Sequence, residues 1–285
     1  MAEDEGGGAI LPGLSGQIVL GCAIFLINIL TLIVIVYYKS IRENYVLLIG
    51  SLSLSDACTG LSLVLYRVLP LNENNSKIMS YVLWMLTGVS QYHTVSLSVD
   101  RLIAVKFALN YHNIMTDVKM KLLVVTSWLP GVMEFVTMVI IHFRFANTES
   151  SADFYLTYGR IFLITNINGV IYLMLWREAK RQKKQLAAQT QQKKAGLDKA
   201  TIAVIVIVFV FYCLWAPYLV LGMVLSLSSE ATATPYIPVK ENLMLLGYVN
   251  SILNSVVYVF FNSRLRAKIR KSLGCKSTTI QVAEN

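Results

Sequence analysis

Residues 78 to 99, IMSYVLWMLTGVSQYHTVSLSV, contain no Lys, Arg, Asp or Glu, and the next two residues are Asp100 and Arg101. An uncharged apolar run of this length predicts a membrane-spanning helix, since about 20 residues cross a ~30 Å hydrocarbon core. The charge pair then falls at the rim of that core, where ions are costly unless solvated or paired. Six further apolar runs lie at roughly 17–38, 45–66, 122–141, 155–176, 201–226 and 242–261. The prediction is an all-α membrane protein, a seven-transmembrane helix bundle.

Composition agrees. Of the 285 residues 55% are hydrophobic and 14% charged, with a mean hydropathy of +0.59, whereas a soluble globule carries about 25% charged residues. Seven spans use most of the chain, so no separate soluble domain and no internal repeat is expected. Residues 1–16 read as the N-terminal segment, 17–262 as the bundle and 263–285 as a short amphipathic helix and tail. No cleavable leader pattern precedes the first span, which is therefore expected to act as an uncleaved signal anchor.

The basic residues orient the bundle. With the N-terminus outside, all but Arg67, Lys77, Arg144, Arg160 and Lys240 of the 25 Lys and Arg fall on the cytoplasmic side, a strong positive-inside pattern. The net charge of +9 is then a matter of topology and of contact with membrane lipids, and nucleic acid is not an expected partner. The expected location is the plasma membrane. Asn74 opens the sequon NNS at 74–76 in the first outer loop, a candidate glycosylation site. Cys22, Cys58 and Cys213 fall inside spans 1, 2 and 6, so no outer disulfide is expected. Cys275 follows FFNSRLRAKIRKSLG (260–274), where Phe261, Leu265, Ile269 and Leu273 recur every fourth residue against a basic face. That pattern predicts a helix lying on the inner leaflet with a candidate palmitoylation site at its end.

Polar residues inside spans need partners. They are Asn28, Asp56, Thr87, Ser90, Thr94, Glu134, Asn166, Asn168, Asn250, Ser251 and Asn254. Asn250, Asn254 and Tyr258 lie four apart and line one stripe of span 7, while Ser90 shares a face with Arg101. A mid-membrane carboxylate among hydroxyls and amides makes an oxygen-rich cage. Spacing alone admits a hard monovalent cation, a water cluster or an ion-free packing network.

In order and spacing, Asn28, SLSLSD ending at Asp56, DRL at 100–102, Trp128, Tyr172, LWAP at 214–217 and NSVVY at 254–258 resemble the motifs of rhodopsin-like G-protein-coupled receptors, over the whole chain. FALNYHNIMT (107–116) is similar to the second inner loop of melanocortin receptors. LLGYVNSILNSVVY (245–258) resembles span 7 of the melanocortin, cannabinoid, lysophospholipid and adenosine receptor group. The resemblance implies a receptor for an extracellular ligand that activates a heterotrimeric G protein and has no enzymatic activity. It implies that Asp100 holds Arg101 at rest, that Arg101 later meets Tyr172 and Tyr258, and that Trp215 and Pro217 form the lever in span 6. Asn254 belongs to the same switch. It also implies a sodium ion, as allosteric modulator, held by Asp56, Ser90, Asn250, Ser251 and Asn254. Two positions depart from the pattern: Leu102 replaces a tyrosine, and Ser255 replaces a proline, which predicts a straighter span 7.

Leu83 stands where amine receptors carry an aspartate, which argues against a biogenic amine. The expected pocket is apolar and aromatic, with Tyr66, Leu83, Trp84, Thr87, Trp215, Tyr218 and Met244, and it suits an apolar, lipid-like or short hydrophobic peptide ligand. Arg67, 11 residues and roughly 16 Å above Asp56 along its helix, is a candidate clamp for an acidic head; the bland reading is that it snorkels to lipid headgroups. Glu134 and Arg160 lie on neighbouring spans at similar depth and are expected to pair. No lysine sits mid span 7 for a retinal Schiff base, and the three histidines are scattered. The alternative to a ligand-gated receptor is a ligandless partner subunit that modulates another receptor.

Overall fold

Each apolar run is a helix, and most of the helices outlast the runs. A computed structural model describes residues 10–37, 44–145, 149–190 and 199–261. The long helices among them are α1 (Ile10–Tyr37), α2 (Asn44–Val68), α3 (Glu73–Lys106), α4 (Asp117–Arg144), α5 (Glu149–Thr190), α6 (Lys199–Ser226) and α7 (Ile237–Phe261). Among the described residues there is no strand. The amphipathic tail expected at 263–285, with Cys275, lies outside the described residues, as do residues 1–9.

Helix ends differ from the expected spans for one reason: apolarity marks the membrane, not the helix. α5 was expected to end near 176 and continues to Thr190 through Glu, Ala, Lys, Arg and Gln, which are strong helix formers in water. α3 begins at Glu73, ahead of the expected 78. Asn72 caps it, its side chain accepting from the Asn75 N–H at 2.8 Å, and Glu73 complements the positive end of the helix dipole. The sequon residue Asn74 therefore sits, exposed, in the first turn of α3 and not in an extended loop.

Six of these helices are long and apolar enough to cross a membrane. α3 is the exception because Ser, Thr, Gln and His dilute its apolar surface, and its position explains how it tolerates them. α1 packs on α2, α2 on α4, α4 on α5, α5 on α6, α6 on α7 and α7 on α1, while α3 touches α2, α4, α5 and α6. The ring closes around α3, whose polar groups meet other helices instead of lipid; Thr87, Ser90, Gln91, His93, Thr94, Ser96 and Ser98 are all buried.

Without a strong hydrophobic drive in lipid, close backbone approach holds such a ring together. The α1–α2 contact rests on two glycines. A Cβ on Gly60 would meet the Gly21 carbonyl oxygen at 2.6 Å, and one on Gly21 would meet the Gly60 carbonyl oxygen at 2.9 Å. Three apolar clusters fill the interior. The inner one includes Leu48, Leu52, Leu97, Met120 and Tyr258. Two outer ones surround Phe211, Trp215 and Tyr218 and Ile24, Leu83 and Tyr248.

Candidate functional site

At the C-terminal end of α3, Arg101 is folded back onto its neighbour. Its Nε and Nη2 donate to Asp100 Oδ2 at 2.8 and 2.5 Å. The second carboxylate oxygen, Asp100 Oδ1, accepts from the Tyr111 hydroxyl at 2.7 Å. Tyr111 stands on the short helix Tyr111–Ile114, and its ring lies 5.9 Å from the Arg101 guanidinium carbon. Burial, then the Asp100 carboxylate, push the Tyr111 phenol far above its ordinary pKa, so it stays a donor. Asp100 and Arg101 pair as their adjacency predicts, whereas Tyr111 carries no signal in the sequence beyond its place in the loop that follows. Tyr172 and Tyr258, expected to meet Arg101, pack in the inner apolar cluster.

Midway through the bundle, Asp56 is fully buried. Its Oδ1 accepts from Ser251 Oγ at 2.8 Å and its Oδ2 from Asn254 Nδ2 at 3.2 Å, and the Ser90 hydroxyl lies near the same carboxylate. The structure thus brings Asp56, Ser90, Ser251 and Asn254 together. Asn250 is buried on the same stripe of α7, and its Oδ1, like the Oδ1 of Asn254, is without a hydrogen-bond donor. Ser255, in the position expected of proline, donates to Asn28 Oδ1 at 2.6 Å, and Asn28 Nδ2 donates to the Ser251 carbonyl at 3.1 Å. The serine thereby ties α7 to α1 by a side-chain bond. Asn168 accepts from Ser98 Oγ at 3.3 Å. Asn166 departs from the expectation of an interior partner: it is exposed and bonds its own helix at the Phe162 carbonyl.

A second polar cluster was not legible. His93 Nε2 and Trp128 Nε1 both reach Ser51 Oγ, at 2.8 and 2.9 Å, and so join α2, α3 and α4. In the sequence Trp128 stands out only as a motif residue and His93 only as one of three scattered histidines.

The expected pocket residues split between two apolar clusters. Trp84, Trp215, Tyr218 and Met244 belong to one; Leu83, Tyr66 and again Met244 belong to the other. Trp84 lies 6.4 Å from Trp215 and 5.9 Å from Tyr218 between ring centroids. Thr87 is buried and bonds back to the Leu83 carbonyl at 2.8 Å. Pro217 stands within α6, two residues beyond Trp215. The guanidinium of Arg67 lies 5.1 Å from the ring centre of its neighbour Tyr66. Glu134 and Arg160 pair as expected, Nη1 to Oε2 at 2.6 Å.

The sequence profile described as "7 transmembrane receptor (rhodopsin family)" matches residues 27–258. The chain is 24% identical to growth hormone secretagogue receptor type 1 of Sus scrofa, covering 92% of this chain and 82% of that protein. It is 23% identical to melanocortin receptor 3 of Homo sapiens, covering 92% and 85%, and 23% identical to the allatostatin-A receptor of Bombyx mori, covering 87% and 75%. These relatives are receptors, not enzymes. The chain belongs to the rhodopsin family of seven-transmembrane receptors, and is a multi-pass membrane protein related to the melanocortin receptors.

Proposed function

We propose that this chain is a plasma-membrane receptor, N-terminus outside, that converts binding of an extracellular ligand into activation of a heterotrimeric G protein. The observation that carries the reading is the buried Arg101 at the inner end of α3, held by Asp100 and Tyr111. A charge held at a rim by partners that can release it gives two states close in free energy, which a ligand can bias. Orientation is supported by the crowding of Lys and Arg on the opposite side. Release of Arg101 toward Tyr172 and Tyr258 is the switching step, with Trp215 and Pro217 as the lever. Proline leaves one backbone hydrogen bond of α6 unmade, a natural place for that helix to bend.

The test is G-protein dissociation and cAMP measured in cells expressing the chain. The expected result is a basal or ligand-induced signal that Arg101→Ala removes at equal surface expression. A surface-expressed chain with no more signal than Arg101→Ala, under every ligand tried, fits the ligandless partner subunit instead.

The ligand is read as apolar, lipid-like or a short hydrophobic peptide, supported by the aromatic and aliphatic character of Tyr66, Leu83, Trp84, Trp215, Tyr218 and Met244. Arg67 at the outer end of α2 is available to an acidic head. Glycosylation at Asn74 is consistent with its exposure.

Asp56, Ser90, Asn250, Ser251 and Asn254 are suited to hold a sodium ion that favours the resting state. The fit rests on a buried carboxylate beside two amide oxygens that lack donors, a set of hard oxygen atoms. Bound sodium supplies the positive charge that offsets Asp56. Asp56→Asn is expected to abolish sodium dependence of signalling; equal dependence in wild type and variant rejects the site.

A further inference from the structure

Arg160 of α5 is buried, with only 7% of its surface exposed, yet its guanidinium is only half used. Nη1 donates to Glu134 Oε2 at 2.6 Å and to the Trp84 carbonyl at 3.1 Å. Nε and Nη2 have no hydrogen-bond partner. These two nitrogens form one edge of the planar group and project parallel N–H bonds, the arrangement that takes both oxygens of a carboxylate at once. A buried cation with unmet donors favours whatever brings acceptors to it.

The surroundings describe the body that such an acceptor would carry. Arg160 lies across Gly88 of α3, where a Cβ would collide with the guanidinium, and its Cζ is 5.9 Å from the Trp84 ring centre. Trp84 leads outward to Tyr218 at 5.9 Å, and Tyr218 stacks on Tyr158 at 5.8 Å with 10° between planes. Over that stack stands a second cation, Lys240 Nζ, 5.7 Å from the Tyr158 ring centre and 6.0 Å from that of Tyr218. An aromatic column thus has a lysine at its outer end and a half-used arginine at its inner end. Arg67 is differently placed, with its guanidinium against Tyr66 at the end of α2.

We propose that Arg160 is the anion receiver of the receptor: its Nε/Nη2 edge takes the carboxylate of a ligand whose apolar or aromatic body lies along Trp84, Tyr218 and Tyr158. Lys240 draws the anion in at the outer end. The proposal rests on the ligand-binding reading above and sharpens it, by making the ligand an acid and by placing its head on α5 and not on α2. Glu134 holds the arginine in position from the other side, so the fork is set before the ligand arrives, which lowers the cost of binding.

The test uses the purified full-length chain and two small molecules of equal body, 4-phenylbutyrate and 4-phenylbutanol. Binding to the folded state raises the thermal unfolding midpoint by mass action. The acid is expected to raise the midpoint of wild type by several degrees and the alcohol to leave it in place. Because Arg160→Gln alone strands Glu134, the removal is made as the pair Glu134→Gln with Arg160→Gln. In that double variant the acid's shift is expected to vanish, while Lys121→Gln, an exposed charge on α4 away from the aromatic column, keeps it. Arg160→Lys, a point charge without the fork, is expected to weaken the acid at least about tenfold. Equal shifts from acid and alcohol, no shift in wild type, or an acid shift that survives in the double variant each overturn the proposal. The readout needs no G protein. A chain that binds the acid through Arg160 but never signals sinks the receptor reading and leaves this inference standing. A chain that signals but binds the acid without Arg160 does the reverse.

Discussion

Glu134→Gln is expected to destabilise the protein by about 3–5 kcal/mol, the range for stranding one member of a buried ion pair. The side chains of Arg160 and Glu134 are only 4% and 11% exposed, so neither ion recovers water when the other is removed. Glutamine keeps an oxygen for Nη1, but the guanidinium keeps its charge in an apolar surround. The pair as such adds little net stability, since burying two ions costs about as much as their attraction returns. Each single variant, Glu134→Gln and Arg160→Gln, should therefore lower surface expression several-fold, because a loss of even about 1–2 kcal/mol changes cellular abundance that much. The double variant should recover part of the loss. Quantitative flow cytometry of surface-tagged receptor decides the matter. Losses that add in the double variant mean that the two charges stabilise the bundle independently, against the 2.6 Å contact.

That pair was legible in the sequence because charges inside apolar runs are rare, so each one asks for a partner. The same reasoning located Asp56 and Arg101. It reached its limit where partners are ordinary residues. Ser51 lies 42 positions before His93 and 77 before Trp128, and nothing local marks a serine as the point where two rings from different helices meet. Tyr111 was passed over because it follows the span and looks like any loop aromatic. The neighbourhood of spans 4 and 5 follows from the family resemblance, but helix lengths do not follow from hydropathy, since α5 continues through charged helix formers well past the membrane. Arg160 shows another limit. A sequence can propose that two charges pair, but only geometry tells which edge of a guanidinium the partner leaves open.

Asp100→Asn is expected to raise basal signalling, by shifting the ratio of active to resting receptor on the order of tenfold or more. The estimate comes from the bonds that the carboxylate makes. Asp100 accepts Arg101 Nε at 2.8 Å and Nη2 at 2.5 Å through one oxygen, and Tyr111 at 2.7 Å through the other. Hydrogen bonds to charged groups contribute about 1.5–3 kcal/mol each, and every 1.4 kcal/mol is about a factor of ten in an equilibrium constant. Asparagine offers one acceptor oxygen and no charge, so Arg101 and Tyr111 cannot both be held as before. Tyr111→Phe removes the hydroxyl that donates to Asp100 at 2.7 Å and accepts a longer bond from Arg101 Nη2 at 3.4 Å, leaves the carboxylate charge in place, and should give a smaller rise, about fivefold for about 1 kcal/mol. The Tyr111 phenol, its pKa raised by burial and by Asp100, remains protonated even near pH 10, where a free tyrosine ionises. The donor of this bond therefore keeps its proton throughout the physiological range. Combining Asp100→Asn with Arg101→Ala separates the proposed switch from simple loosening of the bundle. If release of Arg101 is what activates, the double variant is silent. Constitutive G-protein dissociation, measured at matched surface expression, is the readout. Basal activity in Asp100→Asn equal to wild type, or a double variant as active as Asp100→Asn alone, means that Arg101 is not the group being restrained.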